Sequence, residues 1–283
     1  MSLRQVEFAA RDGFRLGGIL YRPAQPKGRA VVMNGAVGVR QQFYAAFAAF
    51  LEERGFTVLT YDYRGIAASR HGPVKALRAA ARDWAQLDAA AALEELARAA
   101  PDARLLAVCH SFGGNALGLV PGIERLAGAL FVGVQSGYWR HWRGPGRAGM
   151  WFLTHALLPG MASLLGHVPA ALFGQGEDLP AGVAAEWAAW CRNPHYAAGA
   201  VEREGYAAFK APIRSYWITD DAYAPRAATE AILREYASAP SELVAVDPDD
   251  HGGRMIGHFG FFRERFRETL WRDAADWLAG ACD

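Results

Sequence analysis

Short apolar runs that suit buried strands alternate along this chain with longer segments of helical character. An opening β-hairpin is predicted at 6–9 and 16–21, around Asp12-Gly13. Further strands are predicted at 30–33, 57–61, 105–109 and 127–134, and helices at 42–54, 76–99 and 112–119. Alternation of this kind requires parallel strands, right-handed crossovers and helices on both faces of the sheet. The chain is therefore predicted to adopt an α/β fold with a mostly parallel sheet.

The alternation is interrupted once, between residues 138 and 205. This segment contains five tryptophans, several glycines and prolines, and helical pieces without a convincing strand. Afterwards the pattern resumes, with strands predicted at 213–219 and 243–246 and helices at 226–236 and 261–278. We therefore expect one core domain formed by 1–137 and 206–283, with a helical cap or lid inserted at 138–205. A segment of that length is more typical of a functional cover than of an idle loop.

The composition limits the classes of molecule that the protein is expected to bind. Half of the 283 residues are apolar and the formal net charge is +1, without a basic tail, so neither nucleic acid nor a membrane is an expected partner. We find no charged head with an apolar signal core at the start, and no apolar run approaching about 18 residues. Three isolated cysteines, Cys109, Cys191 and Cys282, fit neither a disulfide framework nor a metal pattern. These features predict a cytoplasmic protein that acts on a small molecule.

The most informative segment is the end of the strand predicted at 105–109. It runs directly into Ser111, which is followed by Phe112, two glycines and a short helix. This is the context of a nucleophile elbow, a sharp strand-to-helix turn that exposes a serine hydroxyl. The amide of Phe112, at the start of the helix, is then a candidate donor to an oxyanion. The alternative is that Ser111 is only a helix N-cap.

The segment 110–114, His-Ser-Phe-Gly-Gly, resembles the elbow of the α/β-hydrolase superfamily. Two further segments lie in that family's order: Asn-Gly-Ala at 34–36 is similar to its oxyanion loop, and 62–69 resembles its D-x-R-G-x-G-x-S loop. The ending Gly-His-Phe-Gly-Phe-Phe at 257–262 resembles in particular a group of uncharacterised predicted serine hydrolases. The resemblance implies the α/β-hydrolase fold and a second oxyanion donor, the amide of Ala36. The chain departs from the family pattern at three positions: Cys109 and Ala67 each replace a glycine, and Asn34 replaces a histidine.

A serine nucleophile needs a histidine base and a carboxylate, which in this fold follow it in the order Asp, then His. Asp220 and Asp221 both end the strand predicted at 213–219, where aspartates also cap turns readily. The family's frequent D-x-x-x-P pattern selects Asp221, with Asp220 as the alternative. For the base, the resemblance favours His258, which has glycines and aromatic residues around it, over His251 in a polar loop.

The insert adds candidates for substrate binding. Its aromatic residues are either ordinary core or the wall of an apolar pocket. The tryptophans predicted to bind substrate are Trp139, Trp142, Trp187 and Trp190. The basic segment 140–147 is either a solvated loop or a grip for a carboxylate or phosphate.

The sequence contains no clustered His/Cys spacing and no Gly-rich nucleotide motif, so neither a metal nor a cofactor is expected. The predicted function is hydrolysis of an ester, thioester or lactone through an acyl-enzyme, with Ser111, His258 and Asp221 as triad. Two alternatives remain open. One is an acyltransferase that uses the same residues, and the other is a non-catalytic ligand-binding protein of the same fold.

Overall fold

The computed structural model describes residues 2–169 and 176–282. Eight strands form one sheet in the order β1-β2-β4-β3-β5-β6-β9-β10. The first two pairings, β1 with β2 and β2 with β4, are antiparallel, and the other five are parallel. The predicted α/β class with a mostly parallel sheet is confirmed. The strands are β1 Ser2–Ala9, β2 Arg15–Arg22, β3 Arg29–Asn34, β4 Phe56–Tyr61, β5 Arg104–His110, β6 Leu126–Val132, β9 Ile213–Ile218 and β10 Ser241–Val246.

The helices follow the strands in the expected alternation. Helix α2 covers 81–99 and consists of Ala81–Asp83, a π-helical stretch Trp84–Ala89, and Ala90–Ala99. It begins later than the predicted residue 76 because the Asp83 carboxylate accepts the amide of Ala80 and starts the helix there. The others are α1 Ala45–Glu53, α3 Phe112–Asn115, α4 Gly144–Leu165, α5 Ala181–Trp190, α6 Tyr196–Ala200, α7 Glu204–Ala208, α8 Arg226–Glu235, α9 Gly257–Gly260 and α10 Leu270–Gly280.

Two hydrophobic cores lie on the two faces of the sheet. Along β5, Leu106 and Val108 belong to one core and Ala107 and Cys109 to the other, because successive side chains of a strand point to opposite faces. The first core is completed by the helices α1 and α10, and the second by α2 and much of the insert. Helices therefore cover both faces, as the alternation predicts.

The helix predicted at 261–278 is broken in the structure. The chain forms the short helix α9, a 3₁₀ turn at Glu264–Phe266, and then α10. Phe261 and Phe262, between α9 and the turn, are buried in the core. Burial of two aromatic side chains outweighs the intrinsic preference for one continuous helix, since each contributes roughly 1.5–3 kcal/mol. The break leaves His258 on its own short helix at the edge of the sheet.

The insert differs from expectation in two ways. It contains a two-stranded ladder, β7 His167–Val168 with β8 Leu179–Pro180, where no strand is predicted. Its helix α4 runs uninterrupted for 22 residues and is by length and composition apolar enough to cross a membrane. The expectation that no apolar run approaches that length is therefore wrong. The glycines and Pro159 in the sequence suggest that the helix is interrupted. Instead, a π-helical stretch at Leu153–Leu157 accommodates the proline, which has no amide hydrogen to donate.

Candidate active site

The turn at Ser111 has elbow geometry. Ser111 joins β5 to α3 with φ 50° and ψ −114°, a strained conformation for a residue with a side chain. Its amide donates to the Val132 carbonyl at 3.0 Å, which anchors the turn on the neighbouring strand. A Cβ atom on Gly113 would lie 2.2 Å from the Asn34 carbonyl oxygen, so only glycine fits there. Strain of this kind costs about 1–3 kcal/mol and clusters at functional sites.

His258 lies beside Asp221. Its Nδ1 is 2.6 Å from the Asp221 Oδ2 atom, and both side chains are almost completely buried. The other carboxylate oxygen of Asp221 accepts the amide of Tyr223 at 2.8 Å. Because a carboxylate only accepts hydrogen bonds, the proton of a neutral imidazole sits on Nδ1. The second ring nitrogen, Nε2, is therefore left as an acceptor.

Asp220 has a different task in the same turn. Its two carboxylate oxygens accept the amides of Ile256 and Gly257, each at 2.9 Å. These amides belong to the backbone immediately before His258, so Asp220 holds the loop that carries the imidazole. The two adjacent aspartates thus contact different partners, one the ring of His258 and the other the chain that presents it. Sequence spacing alone could rank them but could not assign Asp220 this contact.

Gly133, which the sequence analysis overlooked, lies against this pair. It follows the end of β6 with φ +57°, a region that favours glycine. A Cβ atom at this position would be 3.1 Å from His258 Nδ1 and 3.3 Å from Asp221 Oδ2. The missing side chain lets the imidazole and the carboxylate approach the sheet closely. The only signal in the sequence was a glycine inside the predicted strand 127–134, one residue before its end.

His110, the neighbour of Ser111, belongs to a buried chain of hydrogen bonds. Its Nε2 lies 2.9 Å from the His258 carbonyl oxygen and its Nδ1 2.9 Å from the Tyr44 hydroxyl. Burial, with His258 nearby, holds the pKa of His110 well below its usual range, so the ring is neutral. Since a carbonyl only accepts, Nε2 carries the proton and Nδ1 accepts from Tyr44. The chain couples the backbone of His258 to the loop after β3.

This chain of hydrogen bonds ends at the amide of Ala36, which is a predicted oxyanion donor. The amide of Ala36 donates to the Tyr44 hydroxyl at 2.8 Å, so it is engaged in this structure and not free as the resemblance implies. The amides of Phe112 and Val37 have no hydrogen-bond acceptor among the described residues. The geometry therefore leaves Phe112 as an unengaged donor at the elbow. Ala36 can serve an oxyanion only by exchanging its bond to Tyr44, and Val37, the next residue, has no such bond to break.

Ser111 and His258 line one cavity of about 190 Å³ between the sheet and the insert. On the insert side, α4 contributes Met150 and Leu153. The cavity has apolar walls around few polar groups, as small-molecule sites usually have. A larger groove, of about 360 Å³, lies at 22–29 and 99–103, where no serine, cysteine or histidine lines it. The cavity at Ser111 is therefore the candidate site.

Two of the four predicted substrate-binding tryptophans line this cavity, namely Trp142 and Trp187. Trp190 is 1% exposed and stacks on the ring of Phe112, so it belongs to the core. Trp139 packs against His155 and is not part of the wall. The insert residue Phe173 lies outside the described residues. The sequence showed that the aromatic residues share one segment. It could not show which of their side chains face the cavity.

His251, the alternative base, lies elsewhere. It ends a 3₁₀ turn after β10, packs against the ring of Phe266 and is not part of the cavity wall. Its Nδ1 is buried without a partner among the described residues. Gln135, another residue that sequence reasoning missed, does line the cavity; its amide group donates to the Tyr223 carbonyl, and its Oε1 has no donor in the described chain.

The comparisons with known proteins agree with this architecture. Residues 30–275 match the model of the alpha/beta hydrolase family. Among functionally curated proteins, none matches the sequence significantly. Solved structures with a similar fold include a lipase in its open form, with a TM-score of 0.68 at 15% identity, covering all of both chains. A soluble variant of monoglyceride lipase from Saccharomyces cerevisiae, bound to a substrate analog, has a TM-score of 0.73 at 14% identity, over 100% of this chain and 97% of that one.

An esterase domain from Rhodothermus marinus is also similar, with a TM-score of 0.60 at 16% identity, over 98% of this chain and 99% of that one. At these identities the structural likeness supports the fold alone. The family match, in contrast, extends over most of the chain, from β3 into α10. The chain belongs to the α/β-hydrolase family.

Proposed function

We propose that the protein is a serine hydrolase that cleaves an ester, thioester or lactone through a covalent acyl-enzyme. The observation that carries this proposal is the 2.6 Å contact between His258 and Asp221. The imidazole of His258 lines the same cavity as Ser111, which lies on its strained elbow. A nucleophile, a base and a carboxylate that orients the base are the parts that acyl transfer requires.

In the proposed first step, the Ser111 oxygen bonds to the substrate carbonyl carbon while Nε2 of His258 takes the hydroxyl proton. Asp221 remains ionised and stabilises the imidazolium that forms. The negative charge moves to the carbonyl oxygen, where the Phe112 amide donates a hydrogen bond, together with Ala36 or Val37 from the loop after β3. The tetrahedral intermediate then expels the alcohol or thiol, which leaves with the proton of His258.

In the second half, water attacks the acyl-enzyme with His258 as base, and the carboxylic acid is released. Ester substrates are favoured because the structural neighbours named above are called lipases and esterases. If an alcohol enters in place of water, the same residues perform acyl transfer. Product analysis with a short ester and added alcohol separates these two outcomes.

The test is titration with a serine-reactive phosphonate and turnover of an activated ester. Wild type should label stoichiometrically, whereas Ser111→Ala should not label and should lose roughly 10⁴- to 10⁶-fold in rate, because the covalent step disappears. His258→Ala should lose nearly as much. The matched control is His251→Ala, at a histidine outside the cavity, which should cost less than about tenfold. Absence of labelling in folded wild type, or more than a tenth of the activity in Ser111→Ala, contradicts the proposal.

A further inference from the structure

The outer face of helix α4 is unusually apolar. Seven large apolar side chains are exposed in the described part of the chain, and four of them lie on α4: Trp151, Phe152, Leu164 and Leu165. Their exposed fractions range from 46% to 85%. Only 17% of the apolar stretch of this helix is buried. Scattered exposed apolar residues need no explanation, but a concentration on one helix marks an interaction surface.

The exposed residues follow the helix geometry. Ala148, Phe152, Ala156 and Leu164 are spaced by multiples of four, so they lie along one outward line. Thr154, Leu158 and Ala162 are buried on the opposite side, against the rest of the protein. Residues 148–165 contain no Asp, Glu, Lys or Arg. Because one side of α4 is packed against protein, the helix cannot be surrounded by lipid, and it can only lie flat on an apolar partner.

Charge selects among the possible partners. The sequence contains no Asp or Glu between Glu124 and Glu177, whereas Arg140, Arg143 and Arg147 come directly before the apolar line. Arg143 and Arg147 are exposed. A second copy of this face would bring like charges together, which disfavours self-association through it. An anionic surface with an apolar interior matches both features, since arginines attract acidic headgroups and the apolar side chains insert below them.

We propose that α4 is an interfacial helix that docks the protein on an anionic lipid bilayer, with its Phe152–Leu164 line inserted and its preceding arginines at the headgroups. The near-zero net charge and the lack of a basic tail argue against a membrane partner for the chain as a whole, but arginines and exposed apolar side chains are concentrated at this one helix. Met150 and Leu153, on the inward-facing turns of the same helix, line the cavity at Ser111. Docking therefore places that cavity next to the lipid phase. The consequence for substrate rests on the proposed function: the acyl ester enters from the bilayer.

The test is flotation of the purified protein with vesicles of phosphatidylcholine alone, or with about a third phosphatidylglycerol. Wild type should bind the mixed vesicles more tightly. Phe152→Ser combined with Leu164→Ser should weaken binding at least about tenfold, because two exposed side chains no longer insert. The matched control is Leu3→Ser combined with Met255→Ser, which changes two similarly exposed apolar side chains elsewhere and should keep binding within about twofold of wild type.

The electrostatic part has its own pair of variants. Arg143→Gln should weaken binding to the mixed vesicles about fivefold and leave binding to phosphatidylcholine unchanged, whereas Arg4→Gln, at an exposed arginine of β1, should change neither. Turnover of a short water-soluble ester should be equal in all these variants, which also shows that they fold. Ser111→Ala should bind vesicles like wild type, so loss of the proposed chemistry does not affect this result.

The proposal is overturned if wild type does not float with mixed vesicles, or if the α4 variants and their controls bind equally. It is also overturned if wild type is a dimer that Phe152→Ser/Leu164→Ser converts to monomer while vesicles remain unbound. In that case the face is an interface between copies of the chain. Vesicle binding without any turnover or labelling refutes the proposed function and leaves the membrane assignment standing.

Discussion

Substitution of Gly133 by alanine tests whether close approach to the sheet sets the position of the imidazole. The new Cβ atom would be 3.1 Å from His258 Nδ1, 3.2 Å from its Cε1 and 3.3 Å from Asp221 Oδ2. Relief of these contacts requires the pair to move by a few tenths of an ångström, since non-bonded heavy atoms prefer about 3.5–4.0 Å. The φ of +57° adds about 1–2 kcal/mol of backbone cost for any residue other than glycine.

The expected loss is about 10- to 100-fold in kcat/KM for a short activated ester, because a displacement of about 1 Å in a reacting group can cost about 10²-fold. Stability should fall by about 1–2 kcal/mol, measured by urea unfolding. The matched control is Gly122→Ala, in the turn that leads into the same strand. Gly122 has φ +87°, but a Cβ atom there meets no other atom closer than 3.8 Å.

Gly122→Ala should therefore lose similar stability and keep full activity. Two results refute the reasoning. If Gly133→Ala retains kcat/KM within about twofold, the imidazole is not positioned by this contact. If Gly122→Ala loses as much activity as Gly133→Ala, the loss reflects backbone strain in general.

Five further substitutions separate roles within the site. Asp221→Asn should cost about 10⁴-fold in turnover because the imidazole adopts the wrong tautomer, whereas Asp220→Asn should cost less than about tenfold and mainly loosen the loop; equal losses would contradict this division. The pKa of His110 is depressed in the fold, so below about pH 6.5 the unfolded chain binds a proton on this histidine that the folded protein does not bind. The free energy of unfolding should therefore fall with decreasing pH, by up to about 1.4 kcal/mol per pH unit. His110→Asn should reduce that slope, measured by urea unfolding at several pH values. Alanine at Trp142 or Trp187 should shift kcat/KM along a homologous ester series by roughly fourfold per methylene no longer buried; a uniform loss along the series would assign the rings to the core.

The sequence by itself determined the sheet and the elbow, because both depend on local patterns. Strand periodicity and helix length are properties of contiguous residues, so β3 to β6 were predicted to within a few residues. The tight turn at Ser111 shows in the sequence because it requires glycine at 113, where a Cβ atom would lie 2.2 Å from the Asn34 carbonyl oxygen. Local chemistry was sufficient there.

What only the tertiary structure decided are relations between distant segments. Asp220 and Asp221 are chemically equal in the sequence, and the position of the chain at 256–258 alone gives each its partner. The same holds for the Ala36 amide, which the family resemblance leaves free but which donates to the hydroxyl of Tyr44, the residue directly before α1. Packing likewise decides which face of α4 is exposed. The sequence shows that this helix is apolar, but it does not show which side the rest of the protein covers.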